Sequence, residues 1–439
     1  LARYYKAQGL QIAGYDRTPG MLTSQLENEG MQIHYEDDPE QIPAVFKDPH
    51  HCMVVYTPAI PDDHKEWKYF KANHYNIFKR SEVLGLISRR KSGIAIAGTH
   101  GKTTITTMVA HLLKNAGVES SAFMGGISKN YDSNFLAGVN EKYTVVEADE
   151  YDRSFLQLTP YMAVISSLDP DHLDIYGDME EVKRTFQQFV RQIKPKGSLF
   201  INQRVKLDLS DCEKIYTYTY SLDQKSDFYA KNIRTENKHS VFDVVTPNGA
   251  IKDIKLGIPG MLNVENAVAA IALAYQISLP AQAIREAMET FQGVKRRFDW
   301  QINCSNLAFI DDYAHHPEEL RSFIHSVKSI FPGKKITGVF QPHLYSRTRD
   351  FAREFAESLS LLDELILLDI YPAREKPIPG VSSELVFNYL DMERKILSTR
   401  DDLPDLIREM DIEVLLTMGA GDIDRMVKPL REILLERLQ

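Results

Sequence analysis

Cysteine is scarce in this sequence. Cys52, Cys212 and Cys304 are the only three in 439 residues, far apart and odd in number. With no CxxC pair, neither a disulfide framework nor a cysteine zinc site is suggested. That usage fits a reducing compartment, and a cytoplasmic protein is the expectation. No apolar run approaches the ~20 residues of a membrane span, and no charged-then-apolar signal segment opens the given sequence, so no membrane partner is expected. A basic excess is missing too. Lys and Arg number 52 against 61 Asp and Glu, a net charge of −9, which argues against a nucleic-acid partner. Anionic small molecules remain open, since local cations and helix ends bind them.

What is present is ordinary globular material, 43% hydrophobic and 26% charged, enough for several cores. The length suits three domains. Strand and helix patterns alternate along most of it, which predicts an α/β protein with mostly parallel sheets. The expected division is 1–90, a Rossmann-like N-terminal domain, then 91–294, a central P-loop ATPase-type domain, then 295–439, a C-terminal Rossmann-like domain. The chain opens inside a helical pattern, and the following strand, Gln11 to Asp16, ends in an aspartate. That looks like a nucleotide-binding βαβ unit whose first strand and glycine loop would precede residue 1. Buried strands are expected at Tyr143–Asp149, Met162–Leu168 and Ser198–Asn202, then at Leu307–Asp312, Lys335–Phe340, Glu364–Tyr371 and Glu413–Met418. The Tyr-, Thr- and Val-rich alternation from Lys214 to Leu256 suggests a smaller antiparallel patch.

The chemistry starts at "GIAIAGTHGKTTITTM", a strand, a glycine turn and a helix. The usual phosphate loop has a glycine five residues before its Gly-Lys, and here Ile96 stands there. The shorter core, Gly98, Thr99, His100, Gly101, Lys102, Thr103 and Thr104, still offers helix-end amides, a lysine and hydroxyls to triphosphate oxygens. Downstream, "VVEADEYDRSF" crowds Glu147, Asp149, Glu150 and Asp152 at a strand end. Carboxylates that close repel one another unless a cation neutralises them, and Mg²⁺ on ATP phosphates fits, with Thr103 as a hydroxyl ligand. "SSLDPDHLDIYGD" loads the next strand end with His172 among aspartates, a candidate for a second ion. Two Mg²⁺ ions imply a second anionic reactant beside ATP. In "IDDYAHHPEE", Asp312, Tyr313 and His315 stand at another strand's carboxyl end, the crevice position of open α/β sheets. "QPHLYSRTRD" follows the next strand and offers Arg347, whose planar guanidinium suits a carboxylate.

"AGTHGKTT", "VVEADEYDRSF", "LDPDHLDIYGD", "PGMLNVENAVAA", "GVKRRFDW", "DDYAHHPEE", "FQPHLYSRTRDF" and "YPAREKPIPG", in that order, resemble the Mur ligase family from end to end. The resemblance implies an ATP-dependent acid–amino-acid ligase of cell-wall precursor synthesis. ATP would phosphorylate the lactyl carboxylate of UDP-N-acetylmuramate, and L-alanine's amine would attack the acyl phosphate. His100, "DDYAHHP" and "QPHLYSRTRD" are what point to alanine. The resemblance further implies that Lys102, Glu147 and His172 are catalytic, with Thr103, Glu147 and His172 at the metals. Asn263 and Asn266 would contact adenine, with Leu262 where the family has His. Arg296 or Arg297 would meet the γ-phosphate, and Asp312 would face the nucleotide. Tyr313, His315 and Arg347 would hold L-alanine, and Asp16 and Thr57 would lie where UDP rests. A monomer or weak homodimer is expected. Rival readings are a murein-peptide recycling ligase, a sister ligase adding D-Glu or a diamino acid, and a P-loop switch ATPase.

Overall fold

The computed structural model describes residues 1–439 apart from 58–59, 91, 139, 170–175, 237–238, 374 and 439. In the first domain β1 (Ala13–Tyr15) pairs in parallel with β2 (Gln32–His34), and β3 (Met53–Tyr56) with β4 (Asn76–Lys79). The two pairs are separate sheets, and Met53 and Val55 of β3 are exposed. This domain is docked firmly on the next. The Tyr4 ring lies 5.5 Å from Phe123 and 6.2 Å from Phe135. Helix Arg80–Arg90 approaches so closely that a Cβ on Gly85 would sit 2.3 Å from the Gln157 carbonyl.

The central domain is built on one ten-stranded sheet. Its strands are β5 (Ser92–Ala97), β6 (Ser120–Ser128), β7 (Ser133–Leu136), β8 (Tyr143–Glu147), β9 (Met162–Ile165), β10 (Ser198–Asn202), β11 (Tyr216–Ser221), β12 (Phe228–Glu236), β13 (His239–Thr246) and β14 (Gly249–Leu256). The order is β14-β13-β12-β11-β10-β9-β5-β8-β6-β7. The middle strands are parallel and carry continuous apolar runs, as a sheet covered on both faces requires. The segment from Lys214 is antiparallel only in part, and it continues the main sheet. β11 joins β10 and β12 joins β11 in parallel, and within this segment the β12–β13 and β13–β14 pairs alone are antiparallel. The reason is a shared core: Phe228, Phe242, Val244 and Ile254 pack with the Ala-rich helix Met261–Gln276 and with Ile94 and Met108 of the P-loop unit. Expected strands overshoot at their carboxyl ends, where Ala148–Asp149 and Ser166–Leu168 leave the sheet to form loops.

The C-terminal domain holds β15 (Asp299–Asn303), β16 (Ala308–Asp312), β17 (Ile336–Phe340), β18 (Glu364–Leu368), β19 (Lys395–Ser398) and β20 (Val414–Met418). Their order is β15-β16-β20-β17-β18-β19, parallel except for the β15–β16 pair. Helices Pro317–Ile330 and Ala352–Leu359 cover one face, and Leu403–Glu409 and Asp424–Glu436 the other. The connection to the central domain is tightly wound. Gly293, Arg296 and Phe298 have φ of +88°, +62° and +47°. Left-handed backbone is uncommon for non-glycine residues and is held here by packing. Among the described residues no helix is long and apolar enough to cross a membrane.

Candidate active site

β5 delivers the phosphate loop to the sheet's carboxyl edge, and helix Lys102–Asn115 begins directly after it. Gly98 and Gly101 are left-handed, with φ of +130° and +81°. Neither tolerates a side chain: a Cβ on Gly98 would lie 2.2 Å from Ser166 Oγ, and one on Gly101 2.7 Å from Asn266 Oδ1. The loop is therefore wedged between the β9 loop and helix Met261–Gln276. Lys102 Nζ donates to the Gly98 carbonyl and to Glu150 Oε1, each at 2.7 Å. Burial alone would lower the Lys102 pKa, but Glu150, Asp149 and Glu147 outweigh it and hold the ammonium's pKa raised.

The acidic cluster divides its labour. Thr103 Oγ1 donates to Glu147 Oε1 at 2.9 Å, and the Gly125 amide donates to Glu147 Oε2 at 2.8 Å. Glu150 is buried and serves Lys102, while Asp149 is exposed and accepts from the Tyr151 amide. A hydroxyl and a carboxylate oxygen side by side next to a phosphate loop form a hard-oxygen pair that suits Mg²⁺. His172 lies outside the described residues. Asp169 Oδ2, from the same segment, stands 3.2 Å from Thr99 Oγ1 and 3.5 Å from His100 Nε2.

A cleft opens over the loop between the central and C-terminal domains. The central domain contributes Thr99 to Thr104, Glu147, Leu262, Asn263 and Asn266, and the C-terminal domain closes it with Arg297, Phe298, Asp312, Glu319 and Phe323. Asn266 is buried, and Asn263 Nδ2 donates to the Pro259 carbonyl at 2.7 Å. The two arginines of "KRRF" part company. Arg297 lines the cleft, whereas the Arg296 guanidinium donates to the Gly419 carbonyl at 2.6 Å and faces Asp311. Arg296, at φ +62°, turns toward the β20 loop while Arg297 stays at the cleft. Asp312 lines the cleft while accepting from the Phe298 and Ala314 amides at 2.7 and 2.8 Å, and burial pushes its pKa to about 6.

The remaining predicted residues lie elsewhere. Tyr313, His315, His343 and Tyr371 form a row with successive ring centroids 5.3, 6.1 and 5.9 Å apart. The Arg296 and Arg297 guanidinium carbons lie 4.9 and 4.8 Å from the Tyr313 centroid. Arg347 is buried in the short helix Tyr345–Asp350, which begins two residues after His343 of that row. Asp16 and Thr57 are exposed at the ends of β1 and β3, and the Asp16 carboxylate accepts from the Thr18 amide at 3.1 Å.

Comparison with known proteins gives three consecutive matches: residues 1–92 to the Mur ligase family catalytic domain, 96–274 to the Mur ligase middle domain, and 296–421 to the Mur ligase glutamate ligase domain. A UDP-N-acetylmuramate–L-alanine ligase of Parabacteroides distasonis is 50% identical over 439 residues, spanning 100% of this chain and 95% of that protein. The chain belongs to the Mur ligase family. A Flavobacterium johnsoniae protein of the same name is 43% identical, covering 100% of this chain and 95% of its own length. The crystal structure of UDP-N-acetylmuramate-alanine ligase MurC from Thermotoga maritima superposes with a TM-score of 0.83 at 26% identity, covering 99% of this chain and 96% of that one. A murein peptide ligase from Psychrobacter arcticus shares the fold, with a TM-score of 0.68 at 22% identity over 98% of this chain and 95% of that one.

In this Mur ligase, sequence reasoning passed over several residues of the site. Glu319, Phe298 and Phe323 line the cleft, and His343 and Tyr371 extend the aromatic row. His343 carried a signal, sitting in "QPHLYSRTRD" one residue before Leu344, whose φ of +70° is an outlier for leucine. Gly125 carried none.

Proposed function

We propose that this chain is an ATP-dependent ligase that joins L-alanine to the lactyl carboxylate of UDP-N-acetylmuramate, releasing ADP and phosphate in the cytoplasm. The observation that carries the reading is the cleft, which sets Lys102, Thr103 and Glu147 on one domain against Arg297, Asp312 and Glu319 on another. Relatives 43–50% identical along the whole chain, bearing that activity in their names, support the choice of amine.

A carboxylate is a poor electrophile at neutral pH, and phosphorylating it supplies a leaving group. Phosphoryl transfer needs positioning and charge neutralisation above all. The loop amides and Lys102 cradle the phosphates, the ammonium exchanging Glu150 for a phosphate oxygen. Thr103 and Glu147 would hold a Mg²⁺ ion, which would supply neutralisation of phosphate charge, and His172 would serve a second. Arg297 approaches the γ-phosphate from the C-terminal side, and Asn266 borders the base. The Tyr313–His315 row and Arg347 present the amine of L-alanine, and Asp16 and Thr57 border the UDP moiety. On this reading 1–90 carries the UDP substrate, 91–294 the nucleotide and 295–439 the amino acid.

The test is ADP release from purified protein. It should require UDP-N-acetylmuramate and L-alanine together, one ADP per peptide bond. Turnover with a murein tripeptide in place of L-alanine would favour a recycling ligase, and ADP release with neither substrate would favour a switch ATPase.

A further inference from the structure

Glu319 stands in the first turn of helix Pro317–Ile330 and caps it, its Oε2 accepting from the backbone amides of His315 at 3.0 Å and His316 at 3.3 Å. Its other oxygen does something a cap does not require. Oε1 lies 3.0 Å from His100 Nδ1, on the phosphate loop of a different domain. Further groups converge on the same carboxylate. His315 Nδ1 is 3.1 Å from Oε2, Arg297 Nη1 is 3.9 Å from Oε1, and Asp312 lines the same wall. From the loop side, Asp169 faces His100 Nε2 at 3.5 Å. Burial would push the Glu319 pKa up, but His315 and His100 outweigh it and keep the carboxyl well below the ordinary carboxylate range. One ionised side chain, 13% exposed, thus touches the phosphate loop, the hinge arginine and the aromatic row.

We propose that Glu319 is a positioning residue that couples the two halves of the ligation: its contact with His100 holds the phosphate loop and His315 in register across the hinge, so that the amine reaches the carbon activated on the central domain. This rests on the ligase reading above. Its physical basis is the split geometry. Phosphorylating the lactyl carboxylate rests mainly on the loop, Lys102 and Glu147 of the central domain, with Arg297 added from the hinge. Attack by the amine needs the C-terminal domain at a fixed distance from that centre, and small misplacements there are costly. A hydrogen bond to a charged partner is the strongest short-range tie the two domains can make at this point.

The experiment compares Glu319→Gln, His100→Gln and the double variant. Acyl phosphate is trapped as a hydroxamate with hydroxylamine in the absence of L-alanine, and ligation is measured at saturating ATP and UDP-N-acetylmuramate. In each single variant ligation should fall about ten- to a hundredfold further than hydroxamate formation does, with a raised KM for L-alanine. The double variant should lose no more than either single one, because both remove the same contact. Losses that multiply, hydroxamate and ligation falling together, or unchanged ligation would each overturn the proposal. If Glu319→Gln does not fold, His100→Gln alone reads the same bond, with ligation lost well beyond any loss of trapping supporting it and parallel loss refuting it. A wild-type protein that forms neither hydroxamate nor product refutes the ligase reading instead.

Discussion

If Glu147 holds Mg²⁺ as proposed, replacing Gly125 with alanine should weaken the enzyme's use of that ion without costing it its fold. Gly125 lies within β6, and its φ is outside the left-handed region, so the backbone accepts a side chain. The added Cβ would stand 2.3 Å from Glu147 Oε2 and 2.5 Å from Oε1, where ordinary contact begins at 3.4 Å. The carboxylate must retreat by about 1 Å, breaking its hydrogen bonds to the Gly125 amide and Thr103 Oγ1. What gives way is the end of a flexible side chain. The two lost hydrogen bonds, about 1 kcal/mol each, are partly offset by the reduced freedom of the unfolded chain, about 0.4–1 kcal/mol, so the net loss is about 1–1.6 kcal/mol and the Tm should fall by only a few degrees. Activity should respond differently. A displacement of about 1 Å in a reacting constellation costs about a hundredfold. Ligation by Gly125→Ala should fall by that order, and the Mg²⁺ concentration for half-maximal rate should rise. The assay is coupled ADP release across a Mg²⁺ titration, with thermal unfolding measured on the same samples. A variant with wild-type rate and an unmoved Mg²⁺ midpoint would show that Glu147 does not hold the ion.

Lys102→Ala should reduce ligation by at least about 10²–10³ and also destabilise the protein, because it strands buried Glu150; adding Glu150→Gln should restore the Tm but not the rate. Arg347→Ala should raise the KM for L-alanine about ten- to a hundredfold and leave those for ATP and UDP-N-acetylmuramate in place, whereas a joint rise of all three would assign Arg347 to the domain's structure. His111 is 3% exposed, bonded to the Tyr131 hydroxyl and Thr290 Oγ1, and burial pulls its pKa to about 4. Its folded-state pKa is the lower one, so its contribution is complete above the unfolded value of about 6.5 and is lost as pH falls towards 4, by about 3 kcal/mol. Urea midpoints measured from pH 7 to 4 should fall less steeply for His111→Gln, and equal slopes would refute the assignment.

The parts legible in the sequence are those written locally. Gly98 and Gly101 announce a loop because no other residue fits their φ, and "KRRF" announces a cationic junction because both arginines sit beside a strand start. Which arginine enters the cleft was not legible. Arg296 and Arg297 diverge at this turn, and composition carries no direction. Period-two alternation marked the strands from Lys214 to Leu256 but not the sheet they join, since register is decided by the helix that covers them. The pairing of Glu319 with His100 bridges two domains, and the approach of Gly125 to Glu147 joins two strands of one sheet. Each depends on tertiary packing, and no spacing rule reaches across it.

The place of β20 between β16 and β17 has a consequence for how the chain is made. A strand spanning Val414–Met418 sits at the centre of a domain whose other strands have all left the ribosome before it. Until it is synthesised, β16 and β17 have no common neighbour, and their apolar faces and unpaired amides stay exposed during translation. The central sheet completes with β14 at Leu256, so the phosphate-loop domain can settle while the last domain is still waiting. A nascent chain stopped just short of residue 414 should therefore present a folded front and a sticky, unclosed rear. Chaperone holding during synthesis is most needed over that final stretch.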